Sequence, residues 1–329
     1  MYLVTGGGGY LGSHLAKTLI ERGERVRIFD VYRGPNVPAK AKFVKGDMLN
    51  PGDVARAMEG VEVVMHLAFI QSLSKRPLRE KYLVNVRGTE NFLKEALRRK
   101  VRRFVHTSTI EVYGTRPPFP CYEDAPKDNP TGWYGRHKWE CERLCMKYRR
   151  RGLAVTMLRM PAICGPGHYN HGPFMDLMDR IIEHKPIAVA GNGRTYGNMT
   201  HYRDVIAGYL LASESEAAVG EAFNIASREP ATHLEILSAM IDQVGSRSFV
   251  FHVPRRAAKT MIYVTNFLGM TSVPDHQIDY AFYHNHYAID KARELLGFEP
   301  EHTVLDSARE QIESYRANRE AVRARNRSY

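Results

Sequence analysis

The chain has 329 residues, 43% hydrophobic and 25% charged, with 47 Lys and Arg against 36 Asp and Glu for a formal charge of +11. This excludes a minimal domain and fits one large globular domain or two linked ones. No apolar run approaches the roughly 20 residues that span a bilayer, and Tyr2–Thr5 already reads as a strand where a leader would stand, so a cytoplasmic protein is expected.

In chain order, short β-branched runs predict strands at Tyr2–Thr5, Arg25–Phe29, Lys42–Val44, Val61–His66, Phe104–Thr107 and Ala154–Leu158. Amphipathic stretches predict helices at Tyr10–Arg22, Pro51–Met58, Leu78–Arg99 and Tyr134–Arg150. Such alternation implies parallel strands with helical crossovers on both faces, an α/β doubly wound sheet. Ligands on these sheets lie beyond the strand C-termini, where strand order reverses. After Gly165 the pattern loosens, Gly and Pro become frequent, and aromatic residues crowd Tyr263–Tyr287, which predicts a smaller lobe closing over the ligand. The Arg-rich stretch after Tyr315 reads as a frayed helix.

The positive charge clusters at Arg98–Lys100 with Arg102 and Arg103, at Arg149–Arg151, and from Arg316 to Arg327. The first two fall where helices should stop, and cations suit helix C-termini, so solvated helix ends are the plainer reading than a nucleic-acid face. Cys121, Cys141, Cys145 and Cys164 make no disulfide framework in a chain of this size and read as reduced thiols.

The string TGGGGYLGSHL places Gly6, Gly9 and Gly12 at three-residue spacing between a strand and a helix. Such glycines permit a tight turn, close approach of backbone to a pyrophosphate, and packing of helix on strand. The helix N-terminus, beginning at Tyr10 and Leu11, then offers amides to the phosphates. Asp30, ending the second strand, stands where an acid accepts from both ribose hydroxyls and repels a 2′-phosphate, which favours NAD over NADP, although Arg33 is close by.

With these features the sequence resembles the extended short-chain dehydrogenase/reductase family, which includes nucleotide-sugar epimerases and dehydratases, over nearly its whole length. The resemblance implies a Rossmann fold, with residues 1–164 as an NAD-binding domain carrying the catalytic pair and residues 165–329 mainly as a substrate-binding lobe. It places Asp47 and Met48 in KGDMLN at the adenine, Leu67 and Ala68 in HLAF beside the cofactor, Asn85 as a buried helix asparagine, and Thr107, Pro161 and Ile163 along the cofactor cleft. It also implies a homodimer.

Tyr134 and Lys138, four apart, share one helix face. A free phenol with a pKa near ~10 is a poor base at neutral pH, and a neighbouring ammonium together with a positive nicotinamide lowers it. Tyr134 would take a hydroxyl proton as hydride leaves carbon. By the family's spacing, Thr109 in HTSTIEVYG is the hydroxyl that orients the substrate oxygen, with Thr107 and Ser108 lining the same turn. A second pair, Tyr287 and Lys291, has no hydroxyl-rich strand end upstream and resembles the family's ordinary C-terminal helix.

Glu111 occupies a place held by glutamate in sugar 4,6-dehydratases and uronate decarboxylases of the family, where it moves a proton beside a transient ketone. The Asp that precedes it in some dehydratases is Ile110 here, so a salt-bridged structural acid is an equal reading. Pro161 and Ala162 stand where nucleotide-sugar enzymes often carry Asn, and Gly197 where an arginine often grips the β-phosphate. Both departures resemble the 3β-hydroxysteroid dehydrogenase branch or small-ketone reductases, although Arg194, His201 or Arg203 would compensate. Asp204 reads as structural. His168 with His171 and His284 with His286 have ligand-like spacings but no acidic or sulfur partner, so no metal is expected.

The expectation is an NAD-dependent epimerase/dehydratase-type enzyme that oxidises a sugar hydroxyl, nucleotide-linked by resemblance, to a transient ketone with internal cofactor recycling. The alternative is a hydroxysteroid-type dehydrogenase with net NADH turnover. A dinucleotide sensor meeting nucleic acid is a third class, disfavoured because the Tyr/Lys pair is kept.

Overall fold

The computed structural model describes residues 1–169, 173–267 and 282–326. Its centre is a seven-stranded, wholly parallel sheet in the order β11-β6-β5-β4-β1-β2-β3. The strands are β1 (Tyr2–Thr5), β2 (Val26–Asp30), β3 (Lys42–Lys45), β4 (Val63–His66), β5 (Arg103–Thr109), β6 (Val155–Met160) and, from the second half of the chain, β11 (Ala222–Asn224). Order reverses between β1 and β4, which opens a crevice at their C-terminal ends.

Alternate strand residues feed two cores, because successive side chains leave opposite faces of a strand. Val4 and Met65 pack with Leu15, Ala16 and Leu19 of α1 (Tyr10–Glu21) and with Val205 and Tyr209 of α7 (Tyr202–Glu214). Leu3 and Val64 pack on the other side with Val54 of α2 (Pro51–Ala57), Phe92 of α4 (Thr89–Arg98), and Cys145 and Tyr148 of α5 (Gly132–Arg149). Burial on both faces explains why these strands read as unbroken apolar runs.

The helix expected over Leu78–Arg99 is α3 (Leu78–Tyr82) running through a π-helical stretch at Leu83–Gly88 into α4. The widened turn holds Asn85, whose Oδ1 accepts from Ile70 N at 2.7 Å and whose Nδ2 donates to Ile70 O at 3.3 Å. Such π-helical turns are rare inside α-helices and frequently fall at functional sites. Helix α5 starts two residues before the expected Tyr134, so Tyr134 lies inside its first turn.

After β6 come β7 (Ala162–Cys164), α6 (Pro173–Ile182), β8 (Ile187–Ala190), β9 (Tyr196–Gly197) and β10 (Met199–His201). Following α7 and β11 are β12 (Ala231–Thr232), α8 (His233–Gln243), β13 (Val250–Val253), α9 (Arg255–Phe267), α10 (Asp290–Leu296) and α11 (Val304–Asn326). A third core of Met178, Ile181, Val189, Met240, Ala308, Ile312 and Tyr315 holds this lobe together.

Two charge readings change. The stretch after Tyr315 is not frayed where described: Arg319 meets Asp179 at 2.6 Å and also pairs with Glu183, while Arg323 pairs with Asp179. Arg103 is no solvated helix end but opens β5, fully buried, with its guanidinium 2.8 Å from Glu216. All four cysteines are buried and unbridged. No described helix is long and apolar enough to cross a membrane.

Candidate active site

Strand β1 ends at Thr5 and turns at Gly6, whose φ of +70° is favourable only for glycine. A Cβ on Gly6 would lie 2.7 Å from Ala68 N, and one on Gly12 would lie 2.5 Å from Gly6 O, so loop, β4 exit and α1 close on one another only without side chains. Gly9 caps α1 with no side-chain hydrogen bond, and the first turn, opened by Tyr10 and Leu11, carries no acidic residue. That end of the helix therefore keeps amide donors and a positive dipole for an anion. Asp30 Oδ2 accepts from Gly8 N at 2.9 Å, which fixes the carboxylate beside the glycine turn. These features fit a dinucleotide.

The floor of the crevice is a buried relay. Thr5 Oγ1 accepts from Leu67 N and Ala68 N, each at 3.1 Å, and meets His66 Nδ1 at 2.9 Å. His66 Nε2 meets Thr89 Oγ1 at 3.0 Å, and Thr89 donates to Asn85 O at 2.6 Å. Asn85 thus acts on the wall through Ile70 rather than facing the crevice alone. Asp47 is exposed, with Oδ1 accepting from Leu49 N at 2.9 Å, whereas Met48 is buried against Gly88. Pro161 and Ile163 flank Ala162 beyond β6, and Tyr10 reaches the same side by donating from its hydroxyl to Pro166 O at 2.9 Å.

Strand β5 carries the candidate hydroxyls toward the start of α5. Its two-residue period sends Thr107 and Thr109 one way and Ser108 the other. Lys138 Nζ donates to Thr107 O at 2.7 Å and lies 3.6 Å from the centre of the Phe69 ring. Thr107 Oγ1 donates to His66 O at 2.8 Å and makes a close contact with the Tyr209 hydroxyl. Thr109 Oγ1 accepts from Glu111 N at 3.3 Å, capping a short 3₁₀ turn at Ile110–Tyr113. Glu111 O accepts from Thr131 N at 2.8 Å, and Gly135 packs so closely that a Cβ there would lie 2.7 Å from that oxygen. The turn is thereby docked on the start of α5, where Tyr134 stands edge-on to Phe69 with ring centres 5.4 Å apart.

Electrostatics sort these groups. Burial pushes the Lys138 ammonium down to about 8. Burial raises the Tyr134 phenol, and the Glu111 carboxylate raises it further. The cations that lower this phenol act against its burial, which deprotonation has to overcome first. Burial pushes the Glu111 carboxyl up to about 8, with Lys138 pulling the other way. No ion pair forms on Glu111 among the described residues, and its Oε2 is buried without a hydrogen-bond partner there. The salt-bridged reading of Glu111 thus finds no partner.

Ser108, expected to line the same turn, faces the scaffold instead. Its Oγ donates to Glu142 Oε1 at 2.5 Å, and Arg159 grips the same carboxylate through Nε at 2.9 Å and Nη2 at 2.7 Å. Arg159 Nη1 donates to the Tyr113 hydroxyl at 2.8 Å, which donates to Asn224 Oδ1 at 2.7 Å. Glu142 and Arg159 were missed in the sequence, although Glu142 lies on the Lys138 face of α5 at helical spacing.

The second Tyr/Lys pair is structural. Tyr287 is buried and donates to Asn285 Oδ1 at 3.1 Å, while Lys291 Nζ meets Glu221 at 2.7 Å. His168 packs on Tyr10, and His284 and His286 surround the Phe119 ring; His171 lies outside the described residues. Asp204 accepts from Glu301 N and His302 N, each at 3.1 Å.

The sequence model of the NAD-dependent epimerase/dehydratase family matches residues 2–226. The chain belongs to that family. A UDP-N-acetyl-alpha-D-glucosaminuronate decarboxylase of Bacillus cytotoxicus is 28% identical, over 95% of this chain and 97% of that one. The decarboxylating sterol-4-alpha-carboxylate 3-dehydrogenase of Mus musculus is 27% identical, over 95% of this chain and 90% of that one. The structure of a UDP-glucuronic acid 4-epimerase from Bacillus cereus in complex with NAD superposes with a TM-score of 0.79 at 25% identity, covering 97% of each chain. This family member is an NAD-dependent enzyme on a Rossmann fold.

Proposed function

We propose that the chain oxidises a secondary hydroxyl of a nucleotide-linked sugar to a ketone, moves a proton at the neighbouring carbon, and returns the hydride before product leaves. Residues 1–164 would hold NAD, with Gly6, Gly9, Gly12 and the α1 amides at the pyrophosphate, Asp30 at the ribose and Asp47 near the adenine; residues 165–329 would mainly hold the substrate. Bound NAD supplies the hydride acceptor. Tyr134 takes the hydroxyl proton, Thr109 donates a hydrogen bond to the same oxygen, and Lys138 supplies the positive charge that phenolate needs.

One observation carries the reading: the Glu111 carboxyl is buried next to Lys138 and Tyr134 with an unpartnered oxygen, its pKa pushed up to about 8. A simple alcohol dehydrogenase needs no second acid/base at this point. A step beside the ketone does, since the carbonyl acidifies the adjacent C–H or stabilises the charge left when a neighbouring carboxylate departs.

A second reading, a hydroxysteroid-type dehydrogenase with net NADH release, is favoured by Gly197 in the position of a phosphate-gripping arginine and by the similarity to the sterol dehydrogenase. Incubating purified protein and NAD with UDP- and dTDP-hexoses, uronic acid derivatives and 3β-hydroxysterols separates the two. Altered sugar without accumulating NADH, lost in Tyr134→Phe, is the expected result. Stoichiometric NADH from a sterol, with sugars untouched, would replace the first reading by the second.

A further inference from the structure

The lobe carries one face that its own core leaves uncovered. Strands β8 and β13 form a two-stranded sheet, and α9 rests against it through Ala258 and Ile262, which join Val253 of β13 in a small core. Opposite that inward side, Arg256, Thr260, Tyr263 and Phe267 follow at spacings of four, three and four residues, so they form a single outward stripe. Tyr263 and Val264 are exposed, and Phe267 is 90% exposed. Phe249 and Phe251 leave the same face of the β13 segment as Val253, because alternate residues share a face. They are 62% and 42% exposed, with ring centres 6.3 Å apart. The surface of a soluble monomer rarely groups large apolar side chains in this way. The charge is equally one-sided. Residues 243–274 contain no Asp or Glu, yet Arg247, Arg255, Arg256 and Lys259 fall among them. Arg255 reaches back to the lobe, donating to Phe282 O and lying over the Phe282 and Tyr283 rings, while Arg247 and Arg256 are exposed.

We propose that this face docks on an anionic phospholipid bilayer. Phe267, Val264 and the two phenylalanines at β13 enter the boundary between headgroups and acyl chains, and Arg247 and Arg256 meet lipid phosphates. A helix with an apolar outer stripe, neighbouring cations and no acid is the pattern of an element lying in the plane of such an interface. At about 1.5 Å per residue α9 is roughly 20 Å long, too short to cross a hydrocarbon core of about 30 Å. The sequence excludes only a spanning run, and a helix lying flat needs none. The uncompensated cations also choose between occupants. A second copy of this chain, related by a twofold axis, would bring the same arginines together with no acid between them, whereas anionic headgroups neutralise them. The docking does not depend on the reaction proposed above.

The test is flotation of the full chain with vesicles of phosphatidylcholine alone and of an equal mixture of phosphatidylcholine and phosphatidylglycerol. The chain should float with the mixture, stay behind with phosphatidylcholine alone, and be released as salt rises. Phe267→Ser with Val264→Ser should weaken binding to the mixture by about 10-fold or more, and Arg256→Gln by about 5-fold. Tm and NAD affinity should be unchanged in both, because these side chains lie on the outside of the lobe; if the double variant does not fold, Arg256→Gln carries the test alone. No flotation of the wild-type chain, equal flotation with both vesicles, or variants that float as well as wild type would overturn the proposal. A dimer formed without lipid and dissolved by the same substitutions would give the face to a second copy and overturn it as well.

Discussion

Glu111→Gln is the perturbation that most directly probes the active-site reading, because it separates stability from turnover. Burial lifts this carboxyl from the ordinary 4.5 to about 8. Between those pH values the unfolded chain has lost the proton while the folded chain still holds it, so stability must fall as pH rises through that window and level off above it. At about 1.4 kcal/mol per pH unit the full penalty is near 5 kcal/mol. Water admitted to the ionised site lowers this, giving an expected span of about 2–5 kcal/mol. Glutamine has the same shape and does not titrate. Its extra N–H, if unpaired, costs about 1–3 kcal/mol at every pH.

The quantity to read is therefore the difference between the two proteins as a function of pH, not at one pH. Urea denaturation from pH 5 to 9, followed by fluorescence of Trp133 and Trp139 on α5, supplies it. Glu111→Gln should gain about 2–5 kcal/mol on wild type between pH 5 and 9, while its conversion of substrate collapses and any transient NADH formation survives. Parallel stability curves would refute the buried, unmatched carboxyl; full turnover in the variant would refute its role in proton transfer.

Two further outcomes follow from the packing. Glu142→Gln leaves the Arg159 guanidinium buried with half its partner gone, and urea unfolding should show a loss of about 3–5 kcal/mol, whereas Glu142→Leu with Arg159→Met should lose clearly less. Gly12→Ala drives a methyl to within 2.5 Å of Gly6 O; the loop displacement should cost about 1–3 kcal/mol of NAD affinity, roughly 5- to 150-fold in calorimetric Kd, with the lobe unaffected.

The doubly wound sheet was legible because its strands are buried on both faces and its crossovers are helical, so period and order coincide from Tyr2 to Leu158. The glycine turn was legible because close backbone approach leaves a residue-type signature. Less was visible at β11, only three residues long and supplied from the second half of the chain, where no run is long enough to carry a pattern. The π turn at Asn85 depends on a loop fifteen residues upstream, and helical periodicity through Leu78–Arg99 conceals it. Arg103 reads as one more cation in a basic cluster until β5 takes it inside the sheet.

Ser108 and Glu111 show how the site divides between scaffold and chemistry. Ser108 lies at the end of β5 and Glu111 two residues past it, and both direct a polar group into low-dielectric surroundings. Ser108 leaves on the scaffold face, where Glu142 finds Arg159 and a hydroxyl, and a buried carboxylate so matched can hold the 3₁₀ turn through Tyr113. Glu111 sits on that turn with one oxygen unmatched. A native fold supplies partners for nearly all its buried polar atoms, and here it supplies them generously for one glutamate while withholding them from another anchored to the same framework. On the proposed reading the matched acid fixes the geometry, and the unmatched one is held where its partner would arrive with the substrate.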